Sequence, residues 1–385
     1  MKVTFSENEE LAAANARKFA ESRLRKNVLD LDEREEFDFD SFKEAAELGF
    51  CGLMIPEDYG GAGVNPLLAM TVLEELGTGS PSFALSLGVS FLLFGYNLAR
   101  EGSDYLKGKY LPGISAGKSI GAMALTEPLH GSDAAGIETR AERRQEGGGE
   151  SFVLNGTKTF ITNAPIADVF FLYASHEGGI SAFVVEKSFR GITVGKPLRK
   201  MGNRSSPTSE VFLDSCEVPS ENLVGEEGRG IYAMMRGLDI ERLVLPAIYL
   251  GAIRWAIQIS KEYSMQRKQF GKSISEYQLV QSKLANMAIQ YESVRTYLRE
   301  VAAQWEKKPG DRSLRGSAAS AKVVVGRAVE YVTREAVQIL GGLGYMRDSY
   351  VEMLYRDGRL ASIGAGTEEV EQLLIFKSLM EGDFL

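Results

Sequence analysis

The hydrophobic pattern changes texture twice along the chain. Up to about residue 117, apolar positions recur at the three-and-four spacing of one helix face, over 7–24, 40–48, 66–76 and 82–101. The strong break is PEDYGGAG at 56–63, where Gly60, Gly61 and Gly63 supply backbone angles that other residues resist. From about 119 to 224 the pattern shortens to strand-like runs such as SFVLNG, TKTFIT, DVFFLYAS and SAFVVE. Asn155-Gly156 reads as a hairpin turn between two of them, and QEGGGE at 145–150 as an exposed hairpin tip. Helical spacing then returns in four long segments, near 229–264, 276–306, 314–340 and 367–380. The expected fold is α+β: an N-terminal α-helical domain at 1–118, a middle β-barrel or sandwich domain at 119–227, and a C-terminal four-helix bundle at 228–385.

One helical segment breaks its own pattern. Between Gly237 and Gly251 runs LDIERLVLPAIYL, apolar on almost every side, yet Asp239, Glu241 and Arg242 share one turn. Leu238, Glu241, Leu245 and Ile248 fall on one face, so Glu241 interrupts an apolar stripe. A helix apolar all round is normally buried, and a carboxylate taken from water must be paired or protonated. Two roles fit: a structural ion pair, with Arg242 or another base, or a general base whose pKa is raised by desolvation. Pro246 removes one helix hydrogen bond nearby and predicts a kink.

Composition narrows the chemistry. A chain of 385 residues with 44% hydrophobic and 25% charged residues is that of an ordinary soluble globular protein with room for several packed units. A net charge of -8 repels polyanions and argues against a nucleic-acid surface. His130 and His176 are the only histidines, and Cys51 and Cys216 lack metal-ligand spacing, so no metal centre is expected. Two distant thiols and the absence of a secretory-type apolar start point to a reducing, cytoplasmic home. The most apolar stretch, 82–99, is interrupted by Gly88, Ser90, Gly95 and Asn97 and reads as a buried core helix, leaving no integral membrane segment.

The helical-β-helical order, with TEPLHGSD at 126–133, KTFITN at 158–163, RKQFG at 267–271, QILGGLGY at 338–345 and GAGTEEV at 364–370, resembles the acyl-CoA dehydrogenases over essentially the whole chain. The resemblance implies FAD held between the middle domain and the bundle. Met123, Leu125 and Thr126 would line the flavin ring, Gly131 and Ser132 would approach its pyrophosphate, Phe160 would cover the ring and Thr162 would lie near N5. The adenosine end would be held across a subunit interface by Arg267, Gln269 and Phe270 of one chain and Gln338, Gly341 and Gly342 of its neighbour. Thr367 and Glu369 match further cofactor contacts, although the acidic Glu369 stands where an amide is common. Shared sites imply a homo-oligomer, a dimer of dimers. His130 occupies a position usually small in the family and has no functional account.

Many members carry the catalytic glutamate where this chain has Ala365, and alanine removes no proton. The isovaleryl-CoA dehydrogenase type instead carries it on the first long bundle helix, in a segment very like GLDIERLVL, which assigns the base to Glu241. The implied reaction converts an acyl-CoA to a trans-2-enoyl-CoA. The thioester carbonyl would be held by the Ala365 backbone N–H, the α-proton taken by Glu241, and a hydride passed to flavin N5. An electron-transfer flavoprotein would reoxidise the cofactor. Asp239 matches a residue on the pantetheine arm and Arg242 one that orders the helix near CoA; either also fits a plain ion pair. Gly364, Ala365 and Gly366 leave room beside the reacting carbons, which favours a short branched or cyclic acyl group. Leu85, Val89, Leu92 and Leu93 are candidates for an apolar pocket wall, with no counter-charge for a dicarboxylic substrate. A straight short-chain substrate, an oxidase, and a non-catalytic flavin-binding member are the alternatives.

Overall fold

The computed structural model of the chain describes residues 6–146 and 149–384. Ser6 opens the first helix with a capping box, its hydroxyl accepting from the Glu9 N–H while the Glu9 carboxylate accepts from the Ser6 N–H. Helix α1 (Glu7–Phe19) continues through a π-helical turn into α2 (Arg25–Arg34), followed by α3 (Phe39–Glu47). Next come α4 (Pro66–Gly77) and α5 (Pro81–Gly88), each starting with a proline behind a side-chain cap, Asn65 and Ser80. A π-helical stretch, Val89–Tyr96, carries α5 into α6 (Asn97–Glu101), and α7 (Asp104–Ser115) completes the N-terminal helices. Pro81–Glu101 and Gly230–Gln266 are long and apolar enough to cross a membrane, but both are mostly buried within the protein.

The middle region is an eight-stranded sheet: β1 (Gly121–Ala124), β2 (Arg140–Glu146), β3 (Gly149–Thr162), β4 (Val169–His176), β5 (Gly179–Glu186), β6 (Ile192–Val194), β7 (Thr208–Pro219) and β8 (Leu223–Val224). The order is β6-β7-β3-β2-β4-β5-β8, with β1 parallel to β4. The sheet folds over itself, so Phe170, Leu172 and Phe183 pack with Phe152, Leu154 and Val218. The opposite face of β4, Val169, Phe171 and Tyr173, packs on Phe94, Leu98 and Leu111 of the helices. Burial on both faces explains why β4 reads as a continuous apolar run.

Asn155-Gly156 is not a turn. Strand β3 runs straight through it, with a register shift between Leu154 and Gly156 against β7. Asn155 accepts the Ser215 N–H at 2.7 Å, and a Cβ on Gly156 would lie 2.5 Å from the Thr139 hydroxyl. The pair is a bulge that admits close approach of β2, because long partner strands on both sides outweigh its turn propensity. Strands β2 and β3 pair as far as Glu146 opposite Gly149; residues 147 and 148 of the expected hairpin tip lie outside the described ones.

The C-terminal region holds α8 (Gly230–Val244), α9 (Ala247–Gln266), α10 (Gln278–Lys307), α11 (Arg315–Leu340), α12 (Tyr350–Gly358) and α13 (Glu368–Glu381). The first expected long helix is two, because Pro246 carries no N–H to continue the ladder, so the expected kink is a break. Helix α12 falls inside a segment read from sequence as loop. Between α9 and α10 a small ribbon, Lys268–Gln269 paired with Lys272–Ser273, projects Phe270 at its tip.

The helices of the two ends share one core, in which Phe19, Met70 and Leu73 pack with Leu243, Ile248, Leu298 and Val325. Helices α4 and α9 cross at paired glycines: a Cβ on Gly77 would sit 2.2 Å from the Ile248 carbonyl oxygen, and one on Gly251 2.2 Å from that of Glu74. The middle domain is stitched on by Asn163, which donates to the carbonyls of Ser86 and Gly121, and by Asp357, whose buried carboxylate accepts the Asn203 N–H at 2.5 Å. Gly251→Ala is expected to destabilise the protein by about 3 kcal/mol or more, since backbone on backbone cannot relax by a rotamer change. Gly108→Ala, with open space around it on α7, is expected to be neutral or stabilising; thermal unfolding of the two variants checks both.

Candidate active site

Glu241 lies three residues before Val244, the last residue of α8 ahead of the Pro246 break, a position fixed by packing of the surrounding Ile240, Leu243 and Val244. Its side chain is buried and its Oε2 has no hydrogen-bond partner among the described residues. Burial pushes its pKa up to about 7, against the opposing charges of Arg242 and Lys322 and with reinforcement from Glu371. Arg242 does not neutralise it. The guanidinium Nε donates to the fully buried Glu371 carboxylate at 2.9 Å and Nη1 to Asp239 at 3.2 Å. Asp239 is shared with Arg315 Nε at 2.8 Å. Asp239 and Arg242 therefore take the ion-pair role weighed in the sequence, while Glu241 is left as a carboxylate without a salt link to its neighbour.

The loop 363–367 approaches the same end of α8. Ala365 adopts φ 58° and Gly366 φ 98°, a consecutive left-handed pair. A Cβ on Gly366 would lie 2.2 Å from Glu371 Oε1, so glycine is required where the loop crosses that buried acid. Thr367 caps α13 by accepting the Val370 N–H, and the Lys322 ammonium donates to the Gly366 carbonyl. Gly364 and Ala365 are half-buried, and Glu369 faces solvent.

On the β side, the TEP and KTFITN segments lock together. Lys158, with no exposed surface, donates to the Leu125 carbonyl at 3.0 Å and to Glu127 at 2.7 Å. Glu127 also accepts the N–H groups of Glu138 and Thr139, and the Thr159 N–H donates to the Thr126 carbonyl at 2.8 Å. Burial pulls the Lys158 pKa down to about 8, against the nearby Glu127 charge. A bulge between Lys158 and Ile161 aims Lys158 inward and Phe160 outward. Glu127, Lys158, Lys322 and Glu371 escaped the sequence-based assignment. Lys158 and Lys322 stand as lone charges in a strand-like and an apolar run, and Glu127 and Lys158 even lie in the motifs, whereas Glu371 is one of three acids in the first turn of α13 and carries no such signal.

Most of the remaining predicted positions face solvent. Phe160 and Phe270 expose 68% and 94% of their surface and adopt φ 56° and 50°. Bulky residues hold this conformation at a cost, and with Ala365 they account for three of the predicted site positions among the described non-glycine residues of positive φ. Gly341, at φ 60°, and Gly342 have open space, while Gly131, Ser132, Arg267, Gln269 and Gln338 are exposed. Met123, Thr126 and Thr162 are half-buried and Leu125 is buried at the ends of β1 and β3. Exposed aromatic rings, open glycine backbone and an unburied guanidinium fit a planar, diphosphate-bearing cofactor. His130 closes a tight turn through two backbone hydrogen bonds with Glu127, its ring 3.7 and 3.9 Å from the carboxylates of Glu138 and Asp133.

Family models for the acyl-CoA dehydrogenase N-terminal, middle and C-terminal domains match residues 6–118, 122–216 and 228–380. The chain belongs to the acyl-CoA dehydrogenase family and is an FAD-dependent oxidoreductase. It is 35% identical to the mitochondrial isovaleryl-CoA dehydrogenase of Oryza sativa subsp. japonica, over 98% of this chain and 93% of that protein. It is also 35% identical to the 3-(aryl)acrylate reductase of Clostridium sporogenes, over 98% of this chain and 100% of that one. Among solved structures, butyryl-CoA dehydrogenase from Megasphaera elsdenii superposes with a TM-score of 0.93 at 34% identity, covering 99% of this chain and 100% of that chain.

Lys158→Met is expected to cost about 3–5 kcal/mol by leaving Glu127 buried and unpaired. The double variant Lys158→Met with Glu127→Gln is expected to recover part of that loss. Chemical unfolding of the three variants in a double-mutant cycle with the parent measures the coupling.

Proposed function

We propose that this chain catalyses α,β-dehydrogenation of a short branched or cyclic acyl-CoA, with Glu241 as the general base. The observation that carries this is a buried carboxylate with an unpartnered oxygen and a pKa raised to about 7, beside a loop that offers alanine in place of an acid. The Ala365 N–H, set by its left-handed backbone, is assigned to the thioester carbonyl, where it stabilises the negative charge that develops as the α-proton leaves. Glu241 takes that proton. Bound FAD supplies the acceptor for the β-hydride. Gly364, Ala365 and Gly366 put no side chain larger than a methyl beside the reacting carbons, which supports a branched or cyclic acyl group. Ser132 is assigned to the thioester arm of the substrate as well as to the cofactor. Asp239 and Arg242 act on CoA through the helix end they brace.

An electron-transfer flavoprotein is the proposed electron acceptor, as the family resemblance implies. The assembly is proposed as a homotetramer. Exposed Leu373, Phe376 and Met380 on α13, with Phe270, Leu343 and Tyr345 on the loops, support faces that another copy covers. A cytoplasmic location is supported by two buried free thiols, Cys51 and Cys216.

Glu241→Gln is expected to lower turnover by about 10²–10⁴-fold while FAD content and thioester affinity hold; a variant that retained full turnover would place the base elsewhere. Because the ionised form is the base, kcat/KM of the parent should rise with pH through about 7 and fall away below it. Anaerobic titration of the holoprotein with isovaleryl-CoA, cyclohexanecarboxyl-CoA, butyryl-CoA and glutaryl-CoA tests the substrate class. Bleaching of the flavin by one of the first two is expected, and bleaching by butyryl-CoA alone would defeat the branched-substrate assignment while leaving the chemistry intact.

A further inference from the structure

We propose that Lys322 is the positioning residue of this site, a single buried ammonium that both anchors the thioester-binding loop and makes the ionised form of Glu241 tolerable. The inference rests on Glu241 being the base. Lys322 lies on α11 and is buried, an expensive place for a strongly hydrated cation. Its ammonium donates to the backbone carbonyl of Gly366, the residue after the Ala365 N–H assigned to the substrate. The charged groups around it come from every element packed there: Glu241 and Arg242 from α8, Glu371 and Glu368 from α13.

The charge balance identifies what this cation is for. Asp239, Glu241 and Glu371 face Arg242, Arg315 and Lys322. Arg242 is committed to Glu371 and Asp239, and Arg315 to Asp239. Of the two cations whose charges act on Glu241, Arg242 and Lys322, only Lys322 is not hydrogen-bonded to a carboxylate, since the ammonium takes a neutral carbonyl instead. When the α-proton moves to a Glu241 oxygen, the C–H bond breaks and its electron pair shifts toward the thioester oxygen held at Ala365. The ammonium is tied to the loop that holds that oxygen and acts on Glu241 through its charge, so it bears on both ends of the transfer. A cation fixed in place serves both states without reorganisation.

The test uses the holoenzyme and follows two readouts against pH: turnover, and exchange of the substrate α-proton with D2O, which reports the base without net oxidation. Lys322→Met removes the charge with little change of volume, Lys322→Gln is the second variant should the first fold poorly, and Lys322→Arg retains the charge. In Lys322→Met or Lys322→Gln the acid limb of both profiles should move up by about 1 pH unit or more, because an opposite charge has been withdrawn from a buried carboxylate. Activity should then recover toward high pH, and Lys322→Arg should hold the limb near its original position. An equal loss at every pH with the limb unmoved would overturn the proposal and leave Lys322 as a loop anchor alone. That outcome leaves the base assignment standing; only Glu241→Gln retaining α-proton exchange removes it.

Discussion

The structure of the site turns on the cost of keeping a carboxylate dry. At the end of α8, burial raises the Glu241 pKa to about 7 against the charges of Arg242 and Lys322, and the Arg242 guanidinium gives its hydrogen bonds to Glu371 and Asp239 instead. Had Arg242 paired with Glu241, the acid would be held ionised and tied up by a salt link. Its commitment to Glu371 and Asp239 is thus as important as the burial itself. The same pairing ties α8 to α13 and places Glu371 under Gly366, so the geometry of the loop and the basicity of Glu241 have a common origin.

That arrangement depends on close backbone contacts some distance away. The Gly77 and Gly251 crossing lets α4 and α9 touch, which fixes the direction in which α8 arrives at the Pro246 break. On the other side, the buried Lys158–Glu127 pair fixes the Leu125 carbonyl, the Thr159 N–H holds that of Thr126, and Phe160 points out of the sheet. Strain is concentrated where the rigid elements end. Phe160, Phe270 and Ala365 all hold left-handed backbone, and such conformations persist only where surrounding structure over-determines them.

Much of the fold was legible because its signals are local. Helical and strand periodicity separated the three regions, and Pro246 marked a helix break through the missing N–H. Asn155-Gly156 misled because its turn propensity is local whereas the bulge it forms is decided by pairing with β7 and the approach of Thr139. Helix α12 was missed because nine residues give too short a period to stand out from a glycine-rich surrounding.

For the site, the sequence alone exposed the anomaly of an acid in an apolar stripe, the alanine where many relatives carry their base, and the motifs that mark a flavin fold. Those are properties of residue type and spacing, and spacing along one helix survives folding. Which cation neutralises which carboxylate was decided only by the tertiary structure, since Arg242 meets Glu371 across 129 positions and Lys322 reaches Gly366 across 44. Adjacent charges in one turn, Glu241 and Arg242, point to different sides of their helix, and only packing of α8 against α11 and α13 determines what each side meets.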